Sequence, residues 1–253
     1  MAPSRPGESI LLIDVSNSFT KIAVARNGII GRVQKRPTAS LATLPFSDTR
    51  ADRAVICSVV PKANTILQHR LPCPILWVDH TTSGVCIRYP KPATIGADRL
   101  ANAAAAVSLG RLPAIVVDFG TAVTFDVIDA KGHYLGGIIA PGLATAASAL
   151  HERTALLPLT RIRKISSTIG KSTRQGIQIG LLLGAVGIVR EVVERITREC
   201  FAGKHPSVLA TGGDADLVAR LARSGGGKKA IDLVDPLLTL RGLLVIAANQ
   251  KIG

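Results

Sequence analysis

The chain repeats one strand–turn–strand pattern at an interval of 104 residues, and this repeat limits its folds more than any other feature. The copies are IDVSNSFTKIAVARNG (13–28) and VDFGTAVTFDVIDAKG (117–132). In each, an apolar run ends on an acid, Asp14 or Asp118. A small residue stands two positions on, a hydroxyl residue six on and a glycine fourteen on. A duplicated unit of this kind implies two similar lobes facing each other. Backbone N–H groups in such a turn can meet phosphate oxygens, while the aspartate holds a cation that neutralises them. Two ordinary hairpins with turn aspartates fit the same residues. On the repeat alone, both readings stand.

With 253 residues, 47% of them hydrophobic, the chain can bury one large core or two modest ones, so two lobes are the natural division. Charged residues make up 19% and are mixed with apolar ones, which excludes a disordered polycation. The longest uncharged stretch lacking His, Tyr134 to Leu150, is short and interrupted by Gly136, Gly137, Pro141 and Gly142, so no membrane span is expected there. The start, MAPSRPGESILLIDV, has no small-residue cleavage site, and a secretory signal is not expected. Cys57, Cys73, Cys86 and Cys200 form no close pair, and the five histidines show no ligand spacing. Reduced, metal-silent thiols in a cytoplasmic protein are the expectation.

Along the chain, SILLIDV (9–15) and TKIAVA (20–25) read as strands, and Asn27-Gly28 turns into IIGRV to make a β-meander. AVICSVV (54–60), halted by Pro61, and ILWVDH (75–80) read as further strands. The Ala-rich stretch 97–109 favours a helix. After Leu112-Pro113, a second run of strands begins at AIVVDFG. Helices are expected over Gly142 to Leu156 and over Thr173 to Phe201, the latter long and amphipathic. VLATGG (208–213) reads as a strand entering a glycine turn, DADLVARLA and LTLRGLLVIAANQ as closing helices, and SGGGKK (224–229) as a mobile surface loop.

Eight segments, IDVSNSFTK (13–21), SVVP (58–61), YPKPATIGADRLAN (89–102), VVDFGTAVTFDV (116–127), YLGGIIAPGL (134–143), IGKSTRQGIQIG (169–180), ATGG (210–213) and LTLRGL (238–243), span nearly the whole chain. In this order the chain resembles the type III pantothenate kinases, of the superfamily that holds acetate and sugar kinases and actin. One departure is visible. The family's first loop usually reads Asp-x-Gly-Asn-Thr, and here it is Asp14-Val15-Ser16-Asn17-Ser18. The resemblance implies an α/β fold of two duplicated ribonuclease H-like, actin-like ATPase lobes with the active site in the cleft between them. Residues 1–111 would form the N-terminal lobe and 112–253 the C-terminal one.

The chemistry implied is transfer of the ATP γ-phosphoryl group to the 4′-hydroxyl of pantothenate, the first step of coenzyme A synthesis. By the same resemblance Asp98 is the catalytic base and Arg99 grips the substrate carboxylate. Tyr89, Gly96, Ala97 and Thr173 line the pantothenate pocket, with Thr173 reaching the neighbouring site of a homodimer. Asp14, Val15, Ser16, Asn17, Ser18, Phe19, Thr20 and Lys21 line the ATP phosphates, with Asp14 holding Mg²⁺ through water. Asp118 is the ligand of a required monovalent cation, K⁺ or NH₄⁺; Thr121 contacts ATP, and Ala210 to Gly213 pass the adenine side. Without that context, Gly96-Ala97-Asp98-Arg99 reads as a plain helix start, and Thr173 as a helix cap.

Several strings are decoys. Gly170-Lys171-Ser172 imitates a P-loop end, but its first glycine would fall at Ile165 and a basic segment precedes it. Gly225-Gly226-Gly227-Lys228 has no hydroxyl residue after the lysine, and Asp214 and Asp216 fit helix caps. The net charge of +14 raises the alternative of a catalytically weak member acting as a regulatory or nucleic-acid-associated accessory protein. One Trp, two Tyr and five Phe are few stacking platforms for single strands. The excess charge is dispersed, apart from five basic and no acidic residues between Arg161 and Arg174. A cousin that phosphorylates another acceptor is disfavoured by the Tyr89-to-Arg99 segment, which in the resemblance carries acceptor specificity.

Overall fold

The computed structural model describes residues 7–46, 50–224 and 230–250. They divide into two compact units. The first takes the described residues up to Arg111, then 131–136 and those from Leu237 onward; the second takes 112–130 and 137–236.

The first unit is organised around β1 (Ser9–Val15), whose run of apolar residues is buried on both faces. It pairs antiparallel with β2 (Phe19–Arg26) and parallel with β5 (Arg53–Ser58). The expected third strand of the meander is split. β3 (Ile29–Ile30) pairs with the end of β2, and β4 (Gln34–Pro37) with its beginning. Between them Gly31 donates its N–H to Val24 O at 3.0 Å, and a Cβ there would sit 2.9 Å from that oxygen. The break therefore sits at a glycine.

β6 (Ile75–Trp77) closes the order β3-β2-β1-β5-β6. The segment after Ser58 is α1 (Pro61–Arg70) rather than a plain stop, because proline is tolerated in a helix's first turn. Leu11, Ile13, Val15, Ala54 and Ile56 pack with Leu41, Ala63 and Leu67 on one face of the sheet. Side chains alternate along a strand, so Asp14 and Cys57 belong to the other face. That face is covered by α2 (Ala97–Ser108), which follows the short β7 (Cys86–Ile87).

In the second unit β8 (Ala114–Phe119) occupies the place of β1. It pairs antiparallel with β9 (Ala122–Ile128) and, through Ser207–Gly212, parallel with a later strand. β10 (His133–Pro141) leads into α3 (Leu143–Glu152), shorter than the helix expected to Leu156. Past Glu152, Thr154 Oγ1 donates to Leu150 O at 2.7 Å and accepts the Leu157 N–H at 3.3 Å, so the chain turns off. In the first unit, His133 and Tyr134 pair in parallel with Cys86 and Ile87.

α4 (Thr173–Cys200) is long and apolar enough to cross a membrane by length and composition. Here it instead buries Ile179, Leu182, Val186, Val189, Val193 and Ile196 at helical spacing, while charged residues occupy its last turns. β11 (Ser207–Gly212), α5 (Ala215–Ser224) and β12 (Leu233–Val234) complete the order β12-β11-β8-β9-β10. The loop expected at 224–229 lies outside the described residues, apart from Ser224 at the end of α5.

Helix α6 (Leu238–Asn249) packs with the first unit. It lies on α2, where the alanines of one helix and Gly242 of the other let the backbones approach closely. Thr239 Oγ1 donates to Asn102 Oδ1 at 2.9 Å within that contact, and Arg53 reaches Ala247 O at 3.0 Å. The same exchange carries residues 131–136 to the first unit, through the pairing with β7.

Candidate active site

Strand register assembles the candidate site of the first unit. Asp14 is opposite Lys21 on β2 and opposite Cys57 on β5, so three side chains form a row across the sheet. Asp14 is 4% exposed and Cys57 0%. The Cys57 thiol donates to Asp14 Oδ1 at 3.5 Å, and Lys21 Nζ is 3.9 Å from Asp14 Oδ2. Burial, then the carboxylates of Asp14 and Asp98, push the Cys57 thiol well above its ordinary range. The thiol therefore has charge neighbours from both β1 and α2. Two aspartates far apart in sequence both act on it.

Asp98 is in the first turn of α2, which begins after Gly96. Its Oδ1 accepts the Arg99 N–H at 2.8 Å. Burial raises the Asp98 carboxyl above the ordinary carboxylate range, and the Arg99 N–H and guanidinium draw it part of the way back. Gly96 is required by this geometry, since a Cβ there would be 2.5 Å from Asp98 Oδ1. A carboxylate at the end of a side chain can swing away, so Gly96→Ala should fold yet misplace the carboxyl. The expected result is a fall in kcat of about 100-fold with little change in melting temperature; undiminished kcat would remove the case for this positioning. Arg99 lies over the Tyr134 ring at 6.0 Å, and a Cβ at Gly136 would sit 3.5 Å from the partly exposed Tyr89 ring. Ala97 is buried at the helix start.

The first loop closes without strain. Ser16 N–H donates to Phe19 O at 3.1 Å, and Thr38 Oγ1 donates to Ser16 O at 2.7 Å. Among the described residues only Asn27 and Ala202 are non-glycines at positive φ, so Ser16 does not need a glycine's freedom. Asn17 and Ser18 form the exposed tip, Phe19 is stacked under Lys35 at 4.2 Å, and Thr20 shares a 3.0 Å bond with Thr38.

The second unit holds the matching turn between β8 and β9. Thr121 O accepts from Gly142 N–H at 3.0 Å and from Thr145 Oγ1 at 2.6 Å, which ties the turn to the start of α3. A side chain at Gly142 would strike Gly120 O and come within 2.6 Å of Thr121 O. Gly212, at φ +95, is equally close on the β11 side: a Cβ there would sit 2.6 Å from Asp118 Oδ1 and 2.5 Å from Phe119 O. Asp118 is half-buried at the end of β8, while Thr121 is exposed. Asp118 Oδ1 and Phe119 O thus lie on the same side of Gly212, two oxygen donors of the kind a hard cation such as K⁺ takes. Asp14, almost buried but still an oxygen donor at a strand end, fits outer-sphere contact with Mg²⁺.

A family model described as type III pantothenate kinase matches residues 10–195, which contain Asp14, Asp98 and Asp118. The chain belongs to that family. It is 40% identical to the type III pantothenate kinase of Methylacidiphilum infernorum over 94% of this chain and 87% of the relative. It is 43% identical to that of Akkermansia muciniphila over 94% and 97%. An archaeal actin homolog of solved structure superposes with TM-score 0.56 at 10% identity, covering 95% of this chain and 99% of the other, which shows the two-lobed actin-like fold.

As a type III pantothenate kinase family member, the chain carries features that its sequence motifs conceal. Cys57, a scattered thiol in sequence, is in the acid row; only the β1–β5 register reveals it. Gly142 and Gly212 clasp the second turn, and the glycines in YLGGIIAPGL and ATGG are the available signal. Thr173 is the exposed first residue of α4, and Ser172 is the cap, accepting Gln175 N–H at 3.3 Å. The P-loop imitation at Gly170 is thus a helix entry. Asp216 pairs with Arg220 at 2.8 Å and Asp214 O accepts Val218 N–H at 3.0 Å, both within the start of α5.

Proposed function

We propose that this chain transfers the γ-phosphoryl group of ATP to the 4′-hydroxyl of pantothenate, with Asp98 taking the hydroxyl proton. The observation that carries this reading is the half-buried Asp98 carboxylate, held over Gly96 with its Oδ1 accepting the Arg99 N–H. An alcohol is a weak nucleophile and the migrating group is heavily anionic, so the protein must supply position, positive charge and one base. Burial makes Asp98 a stronger base than an ordinary carboxylate. Arg99 offers a planar fork to the pantothenate carboxylate. Tyr89, Gly96 and Ala97 border the acceptor, joined by the partner subunit's Thr173 in a homodimer. Residues 14–21 and Thr121 hold the phosphates, and Ala210 to Gly213 approach the adenine. Asp14 would hold Mg²⁺ through water, and Asp118 would hold K⁺ or NH₄⁺. Bound there, these cations neutralise phosphate charge.

The test is ATP-dependent phosphorylation of pantothenate in potassium, ammonium and sodium buffers. Activity is expected in the first two and strongly reduced in the third. Asp118→Asn should raise the half-saturating K⁺ concentration by about 10-fold or more. Equal rates in sodium and potassium would overturn the Asp118 assignment. Absence of transfer with every monovalent cation would overturn the reading and favour a regulatory member.

A further inference from the structure

Among the described residues, Cys57 is the buried nucleophilic group at the site that the reaction does not use. It sits at the position of β5 directly opposite Asp14, is 0% exposed, and spends its S–H on Asp14 Oδ1 at 3.5 Å. An ionised carboxylate accepts hydrogen bonds only, and a thiol is one of the weaker donors available to it. The other oxygen, Oδ2, faces Lys21 Nζ at 3.9 Å. Each Asp14 oxygen is thus approached from a different neighbouring strand, along one line across the sheet.

A carboxylate can turn about its Cα–Cβ and Cβ–Cγ bonds, and two contacts from opposite sides restrict both rotations. Such restraint matters where a carboxylate must present a lone pair to a hydrated cation: outer partners of metal-holding groups orient them and tune affinity. The thiol is enclosed, so alkylation or oxidation is not its use. Its packing supports the same conclusion. The face holding Cys57 is roofed by α2, so the donor at position 57 is enclosed beside Asp14 rather than open to solvent.

We infer that Cys57 is a positioning residue, its S–H holding the Asp14 carboxylate in the orientation that receives Mg²⁺-bound ATP. This rests on the reading of Asp14 as the carboxylate facing hydrated Mg²⁺.

The test compares Cys57→Ser, which keeps a donor, with Cys57→Ala and Cys57→Val, which lack one, and with Asp14→Asn. Two readouts are taken on the full chain: the free Mg²⁺ needed for half-maximal activity at fixed ATP, and the rise in melting temperature caused by MgATP without pantothenate. Ala and Val should raise the Mg²⁺ requirement by about 10-fold and shrink the MgATP-induced shift, with the KM for pantothenate unchanged. Ser should restore both readouts toward the parent values. A purely packing role would lower the ligand-free melting temperature in Ala, spare it in Val, and leave the Mg²⁺ dependence alone; that pattern overturns the inference. Equal impairment of Ser and Ala does so too. If Asp14→Asn leaves both readouts unchanged, the reading of Asp14 itself falls, and the inference with it. If Asp14→Asn is impaired but Ala and Val are not, only the role of Cys57 is lost.

Discussion

Asp98→Asn is expected to lower kcat for pantothenate phosphorylation by about 10²- to 10⁴-fold, the range supplied by a positioned general base. The amide keeps the size of the side chain and can still accept the Arg99 N–H bond that orients it, at 2.8 Å in the parent. It cannot take a proton. The KM for ATP should therefore stay close to the parent value while kcat falls, and full activity in the Asn variant would remove Asp98 as the base. The pH profile gives an independent reading. Burial is the largest influence on this carboxyl and raises its pKa, so the acidic limb of kcat/KM should lie above the ordinary carboxylate range.

The same shift has a consequence for stability, with a definite sign. A carboxyl whose pKa is higher folded than unfolded binds more protons in the folded chain, so stability falls as pH rises between the two values. At neutral pH the parent bears that penalty and the Asp98→Asn variant does not. The variant should then melt at or above the parent temperature at pH 7, and the difference should close as the pH falls below the ordinary carboxylate range. A variant that is both inactive and less stable at pH 7 would point to a structural role instead.

Gly242→Ala is expected to destabilise the chain by about 2 kcal/mol or more, lowering the melting temperature by about 5–10 °C. Helix propensity alone argues the opposite, since alanine in a helix interior is favoured over glycine by roughly 0.5–1 kcal/mol. The surroundings decide it. A Cβ at this position would overlap Ala101 O and lie 2.5 Å from its carbonyl carbon. Both are backbone atoms of α2, so no side-chain rotation relieves the clash and the two helices must separate. Separation also stretches the buried Thr239–Asn102 hydrogen bond one turn away. Thermal unfolding measured for both chains checks this, and a melting temperature equal to or above the parent's would mean that the helices yield cheaply. Because Asp98 opens α2, kcat should fall as well, which separates Gly242→Ala from a remote destabilising change.

The strands and helices with strong local signals are legible in the amino-acid sequence. Ser9–Val15 is an apolar run, Ala97–Ser108 is Ala-rich, and Thr173–Cys200 has helical spacing of apolar residues. Asp14, Asp98 and Asp118 stand out through their motifs, since each lies at the end of a strand or the start of a helix. What local pattern does not convey is pairing across distance. Cys57 meets Asp14 only because β1 and β5 run parallel in one particular register. The second half of IIGRV leaves the strand because Gly31 meets Val24 O, a contact invisible to periodicity. α6 looks like any apolar helix in sequence, and its place on α2 depends on Gly242 finding Ala101 across the fold. Pro61 reads as a stop, although proline begins helices as readily as it ends strands.

The return of α6 to the first unit has a bearing on how the chain is made. During synthesis helix α2 emerges early, but its covering partner is encoded beyond the whole of the second unit. Until Leu238 and the residues after it leave the ribosome, the alanine face of α2 has no α6 to bury it. The second unit, by contrast, has all its elements in hand by Pro236. The unit that carries Asp98 is thus completed after the second, and the helix bearing Asp98 stays uncovered until α6 has emerged.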